Sequence, residues 1–196
     1  MEGKNNKYEY GIENVHIWPI ENENGQDIEY AKTPIRVLGA VTMKLSPIGD
    51  SSTIYADNSA YVTISANGGY EGEWESYQLP EEMETKILGI IKDNNGALIE
   101  SSEAKQKNFG ISFQFIGDQN NARVFGFYCS MSQRPSDEKT TKGESVEPTA
   151  NVFTFKMMPR LKDKLVKAKL YEDRNPEAYA KFFDAPYEPV FTTPEA

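Results

Sequence analysis

The most constraining feature of the chain is a set of three alternating runs between Asn108 and Pro159. Phe109, Ile111, Phe113 and Phe115 alternate with Gly110, Ser112 and Gln114. Arg123, Phe125, Phe127, Cys129 and Met131 alternate with Val124, Gly126, Tyr128 and Ser130, and Val152 to Met158 continues in the same style. Successive side chains of a strand point to opposite faces, so a period of two predicts antiparallel β-strands. The pattern predicts one apolar face, the core of the subunit, and one small or polar face. That second face meets either water or copies of the same chain.

Further strands are expected along the chain. Tyr8 to Ile20 reads as a strand stopped by Pro19, with Asn24-Gly25 as a hairpin turn and Ile28 to Thr33 as the return. Ile35 to Leu45 is another, with Gly39 marking a bulge or bend. Tyr61 to Ser65, Tyr70 to Leu79 and Lys164 to Tyr171 complete the set. Pro80, Glu81 and Glu82, followed by Met83, Ile87, Leu88 and Ile91 on one stripe, predict a helix over 80–92. Asn175-Pro176-Glu177 has the residues of a helix start and predicts a short helix over 176–183. The reading is of a single, mainly β domain over 1–196, with one flanking helix, a short C-terminal helix and extended N- and C-terminal arms.

Two excursions interrupt the strands. Residues 46–60 carry Ile48, Ile54 and Tyr55, which either fold back on the domain or insert into a neighbour. Residues 133–148 are rich in Lys, Glu, Ser and Thr, with Val146 almost their only apolar residue. A loop of that length in a compact domain is functional or disordered.

Composition narrows the function. The formal net charge of −9 argues against wrapping nucleic acid or binding anionic membranes, both of which need Lys and Arg clusters. No run approaches the apolar length of a membrane span. The N-terminus lacks the apolar core of a signal peptide, so synthesis in the cytoplasm is expected. The single cysteine, Cys129, reads as a buried apolar residue, and one cysteine makes no intrachain disulfide. His16 is the only histidine, so a triad or zinc site has little to draw on. Glu71, Glu73 and Glu75 share a strand face, but no His or Asp cluster joins them, and a solvated face explains them better than a metal site. The Gly residues form no phosphate-binding pattern. No catalytic constellation, cofactor site or metal site is expected, and the chain does not read as an enzyme.

Several local patterns together carry a resemblance. They are Tyr10 to His16, Tyr55-Ala56-Asp57-Asn58, Ser65 to Gly72, Leu79-Pro80-Glu81 leading into Ile87-Leu88-Gly89, Arg134-Pro135, Glu147-Pro148, Pro159-Arg160 and Tyr187-Glu188-Pro189. In their order and spacing the chain resembles, over essentially its whole length, the major tail tube proteins of long-tailed, non-contractile (siphovirus-type) bacteriophages. The resemblance implies a β-sandwich or half-barrel with a flanking helix and long inter-subunit loops. It implies a structural virion protein, made in the host cytoplasm, whose hexameric rings stack into a tube. Genome DNA would pass through the lumen without specific binding, and a tape measure protein would occupy it beforehand. Tail terminator and distal tail proteins would be further partners.

On that basis Ile48, Ile54, Tyr55, Asp57, Asn58, Arg134 and Val146 are expected at inter-subunit contacts. Ser112, Gln114 and Ser130 are expected to face the lumen, and acidic side chains to line it. A second class of function is a monomeric β-sandwich module for carbohydrate binding or adhesion, with Trp18, Trp74 and clustered tyrosines as a sugar platform.

Overall fold

The computed structural model describes residues 5–136, 141 and 148–191. Thirteen strands and two short helices occur among them: β1 Glu9–Asn24, β2 Asp27–Tyr30, β3 Ile35–Val37, β4 Ala40–Ile48, β5 Ser51–Ala56, β6 Ser59–Ser65, β7 Gly69–Ser76, α1 Glu81–Lys86, β8 Ile91–Lys92, β9 Leu98–Ile99, β10 Phe109–Gly117, β11 Ala122–Met131, β12 Asn151–Met158, β13 Lys167–Tyr171 and α2 Pro176–Ala180. The chain is mainly β, as the alternation predicts. One large antiparallel sheet runs β2-β1-β10-β11-β12-β7-β4, with β13 added to β11 and β3 added to β1.

The sheet curls on itself. β3 pairs with β1, β4 pairs with β7, and only Leu38 and Gly39 join β3 to β4. The two ends of the sheet are therefore tied by one bent strand. Gly39 makes the bend at φ +79, a left-handed conformation that favours glycine. The curl encloses a core of Val15, Ile17, Val37, Trp74, Phe109, Ile111, Phe113, Phe153, Phe155 and Met157, among others. Met83, Ile87 and Leu88, from α1 and the turn after it, plug this core.

The alternation in β11 does not keep one parity. Phe109 pairs with Cys129, but Ile111 pairs with Gly126, so β11 carries one extra residue between them. Such a bulge transfers the following side chains to the opposite face. Val124, Cys129 and Met131 point into the core, while Phe125 and Phe127 join a second cluster with Trp18, Ile20, Tyr30 and Phe182. The expectation of one continuous aromatic face thus resolves into two aromatic layers, one on each side of the sheet.

Three boundaries differ from expectation. Pro19 does not stop β1; it is buried in the strand opposite Phe109, and its carbonyl accepts from the Ala31 N–H at 2.7 Å. The helix expected over 80–92 ends at Lys86. There Gly89, at φ +74, lies so close to the Lys105 backbone that any Cβ would collide with it. Ile91 leaves the helical stripe for the exposed β8. The second helix has the expected Asn175 cap, whose side chain accepts from Ala178 N at 3.0 Å, but runs only over Pro176–Ala180.

Close packing across β7 and β12 depends on Gly72, which lies opposite Phe155 with the aromatic ring where a Cβ would stand. Gly72→Ala should lower stability in urea unfolding by ~1–3 kcal/mol through overpacking. Adding Phe155→Leu should recover part of that loss, because the two positions share one contact.

Candidate functional site

The two outer halves of the sheet have different fates. Over β1, β10, β11 and β13 the chain's own C-terminal segment covers the face: Phe182, Phe183, Tyr187 and the adjoining α2 lie on Trp18, Phe125 and Phe127. Arg123 anchors it, with its guanidinium 3.9 Å from the Tyr179 ring centroid and 4.6 Å from that of Phe183, and Nη1 donating to the Tyr179 carbonyl. Arg160 closes the far end. Its buried guanidinium stacks 4.5 Å from the Phe127 ring and donates to both Asp163 and Glu188, with bonds of 2.7 Å to each. The hydrogen bond from Arg160 holds the Asp163 carboxyl below the usual range.

Ser112 and Gln114 lie under this cover. Ser112 is 0% exposed and accepts from Trp18 Nε1 at 2.9 Å. The Gln114 carbonyl oxygen accepts from Arg123 Nε at 2.8 Å and Tyr179 O–H at 3.1 Å, while its amide donates to Glu13 at 2.6 Å. Both are buried within the chain itself, not on a free surface. They are the satisfied polar groups of an interlayer, because the β11 bulge turns Phe125 and Phe127 to their side and draws the C-terminal segment over them. Trp18 and Trp74 are buried as well, so neither indole offers a sugar-stacking surface.

The outer face of β4, β7 and β12 is more open: Lys44, Glu71, Glu73 and Lys156 are exposed there, whereas Thr154 is half-buried with its Oγ1 out of solvent. Directly opposed residues share a face. Ser46, Glu71, Lys156 and Ser130 form one row; Lys44, Glu73 and Thr154 form the next; Thr42, Glu75 and Val152 form a third. Ser130, half-buried here, is the one expected lumen residue on the open face. A shallow cleft of about 330 Å³ lies over Lys44, Glu71, Glu73, Thr154 and Lys156.

A third surface is the hairpin of β5 and β6, a separate two-stranded sheet. The excursion expected over 46–60 is thus mostly regular structure: Ile48 ends β4, half-buried, and Ile54 and Tyr55 belong to β5. Asp57 and Asn58 form the turn at φ +49 and +59, the pair of left-handed residues that a tight hairpin needs. Ile54, Val62 and Ile64 share one face; Thr53 and Thr63 meet at 3.0 Å on the other. Tyr55 is 72% and Tyr61 74% exposed. Asp57 is the only charged residue from Ser51 to Ser65.

Arg134 sits at the mouth of the second excursion, paired to Glu100 at 2.8 Å with its Nη1 buried and unpartnered. Val146 lies outside the described residues. Among the described residues no group of His, Cys, Asp or Glu is placed to hold a metal, and no helix is long and apolar enough to cross a membrane. Burial pushes the Cys129 thiol far up. No protein-family model matches the chain, and no curated protein matches it.

His16 tests the cover of the C-terminal segment. Its ring stacks on Phe183 at 4.9 Å, and its Nδ1 lies 2.8 Å from the Asn14 carbonyl. Burial first, then the charges of Arg36 and Arg123, pull its pKa below the ordinary 6.5. The unfolded chain therefore binds the proton first, and stability present above that pH declines as pH falls through the window below 6.5. Melting temperatures of wild type and His16→Gln, taken between pH 7.5 and 5.5, should converge toward acid as wild type loses more.

Proposed function

We propose that this chain is a tail tube subunit of the long-tailed, non-contractile phage type. In this reading its copies form hexameric rings, the rings stack, and the curled sheet supplies each copy's share of a half-barrel wall around a lumen. DNA passes through that lumen in the virion without specific binding, and a tape measure protein fills it before ejection. Tail terminator and distal tail proteins meet the two ends of the tube.

The observation that carries the reading is the β5–β6 hairpin. A lone two-stranded hairpin is marginal in water. This one exposes Ile54, Tyr55, Tyr61, Val62 and Ile64, and Asp57 is its only charge. Exposed strands that remain in solvent are guarded by charge or proline, which its strands lack. Covering it with another copy removes that liability and fits the resemblance in Tyr55 to Asn58. Arg134 and the 133–148 excursion stay as a second contact in this proposal.

We assign the lumen lining to the open half of the sheet. Ser112 and Gln114 belong to the interior, so the lining falls to Glu71, Glu73, Glu75, Lys44, Lys156, Thr154 and Ser130 on the open half of the sheet. Three carboxylates against two ammonium groups leave that face slightly acidic, which repels phosphate without binding it.

The test is assembly. Wild type should give rings or tubes in negative-stain micrographs, on its own or when seeded. Ile54→Ala with Tyr55→Ala should fold within about 0.5 kcal/mol of wild type, as surface changes do, yet remain unassembled. Normal tubes from the double variant would refute the hairpin contact. A tube reconstruction placing Glu71 and Glu73 on the outer wall would refute the lining, and a wild-type chain that never self-associates would refute the function.

A further inference from the structure

Asparagine is followed by glycine at Asn24-Gly25, Asn67-Gly68 and Asn95-Gly96. This pair is chemically labile, because glycine has no side chain to shield its backbone nitrogen from the preceding amide. Ring closure between them needs a Gly N–H free of hydrogen bonds, an Asn side chain free to turn, and a backbone that can leave its turn. Two of the three sites lack these. The Gly68 N–H donates to the Ile48 carbonyl at 2.7 Å, and the Asn67 side-chain oxygen accepts from the Gly69 N–H at 3.2 Å. The Gly96 N–H donates to the Asp93 carbonyl at 3.1 Å, and the Asn95 side-chain amide donates to the Asp93 carboxylate at 3.2 Å. That carboxylate also accepts from the Asn95 and Ala97 N–H groups, both at 2.8 Å.

Asn24-Gly25 is built differently. Asn24 pairs with Asp27, so Gly25 and Gln26 are the two-residue loop of the β1–β2 hairpin, with Gly25 at φ +65. In such a loop the first N–H points to solvent, and the Gly25 N–H has no partner among the described residues. Nothing lies within 4 Å of where a Gly25 Cβ would stand. The Asn24 side chain is exposed and equally unpartnered among the described residues. Residues 21–27 are all exposed, and β2 pairs with β1 alone, so the tip opens locally at little cost.

We propose that Asn24-Gly25 is a site of spontaneous deamidation that uncouples the β1–β2 hairpin as the protein ages. The Gly25 backbone nitrogen attacks Asn24 Cγ. The new N–Cγ bond forms, the Cγ–Nδ2 bond breaks, and Nδ2 leaves as ammonia with the proton that Gly25 gives up. Water then opens the succinimide at either ring carbonyl, to aspartate or to isoaspartate. No oxidant or cofactor takes part. Aspartate at 24 sets a carboxylate directly across from Asp27, and like charges in that position weaken a strand pair. Lys162, 3.6 Å from Asp27, offsets this only in part. Isoaspartate carries the main chain through Cγ, and the added methylene breaks the two-residue loop. The proposal stands apart from the tube reading and needs no assembly.

Trypsin separates the three sites, into peptides 8–32, 45–86 and 93–105. After folded protein is held at mildly alkaline pH, mass spectrometry should find at least tenfold more deamidation in peptide 8–32 than in either of the others. In urea the three should convert at similar rates. Asn24→Gln, an exposed change that should leave the fold intact, should abolish the signal in peptide 8–32. The converted protein, separated by its added negative charge, should exchange the amide hydrogens of β2 at least tenfold faster than the starting protein. Conversion at Asn67 or Asn95 equal to that in peptide 8–32 of the folded chain would overturn the proposal. So would a contrast that persists in urea, because sequence neighbours and not the fold would then set it. A signal that survives Asn24→Gln would move the reaction to Asn14 or Asn22, and unchanged exchange in β2 would overturn the uncoupling.

Discussion

The extra residue in β11 between Gly126 and Cys129 decides what each face of the sheet becomes. Before it, Phe125 and Phe127 point outward; after it, Cys129 and Met131 point into the core. Two outward phenylalanines beside Trp18 are a large apolar surface, each side chain worth ~1.5–3 kcal/mol when removed from water. The chain meets that demand with its own last described segment. Phe182 and Tyr187 stack over the layer, and Arg123 and Arg160 add guanidinium–aromatic contacts at its two ends. The polar groups trapped between the layers are then obliged to pair, and Ser112 and Gln114 do. Without the bulge, the same residues would have had only solvent opposite them.

The same side of the sheet stays open where that segment ends. β13 pairs with β11 as far as Gly126, and β12 takes over from Tyr128. From there outward three rows on β12, β7 and β4 are Ser, Thr, Lys and Glu apart from Val152, with Ile48 and Met158 on the same face at their end. One continuous surface is thus divided into a half finished within the subunit and a half left polar. Such a division would suit the wall of the proposed tube, which needs one inert face and a stiff backing. The backing here is the aromatic core beneath Gly72 and Trp74, where Phe153 stacks on Trp74 at 4.5 Å.

Strand positions were legible because alternation is a local property. The Gly39 bend and the Asn175 cap were legible for the same reason: each is set by the residue's own backbone preference. The β11 bulge was not. Phe-Gly-Phe-Tyr-Cys reads equally well in either parity when both faces are apolar, so periodicity alone has nothing to choose with. Ser112 and Gln114 look solvent-facing within a strand, yet their partners Trp18 and Tyr179 lie 94 and 65 positions away. The hairpin was legible in part. Tyr61 to Ser65 reads as a strand, but the Ser and Thr around Asp57-Asn58 make residues 46–60 read as a loop. Helix α1 was overextended because Ile91 keeps the helical spacing, while the tertiary approach of Lys105 to Gly89 ends the helix before it.

In the proposed tube, a chain of net charge −9 must place its charge with care. At physiological ionic strength the repulsion between exposed charges fades over roughly 8 Å, so what matters is the charge within the contact itself. The β5–β6 hairpin has one carboxylate, at its tip, and hydroxyl-bearing Ser and Thr elsewhere between its apolar residues. Burying it therefore desolvates almost no charge, which is the dominant cost when ionic side chains enter an interface. The carboxylates of Glu71, Glu73 and Glu75 are instead on the open face, interleaved with Lys44 and Lys156. Under the proposed function, separation of the two surfaces would let one chain be sticky toward its copies and indifferent to a polyanion moving past it.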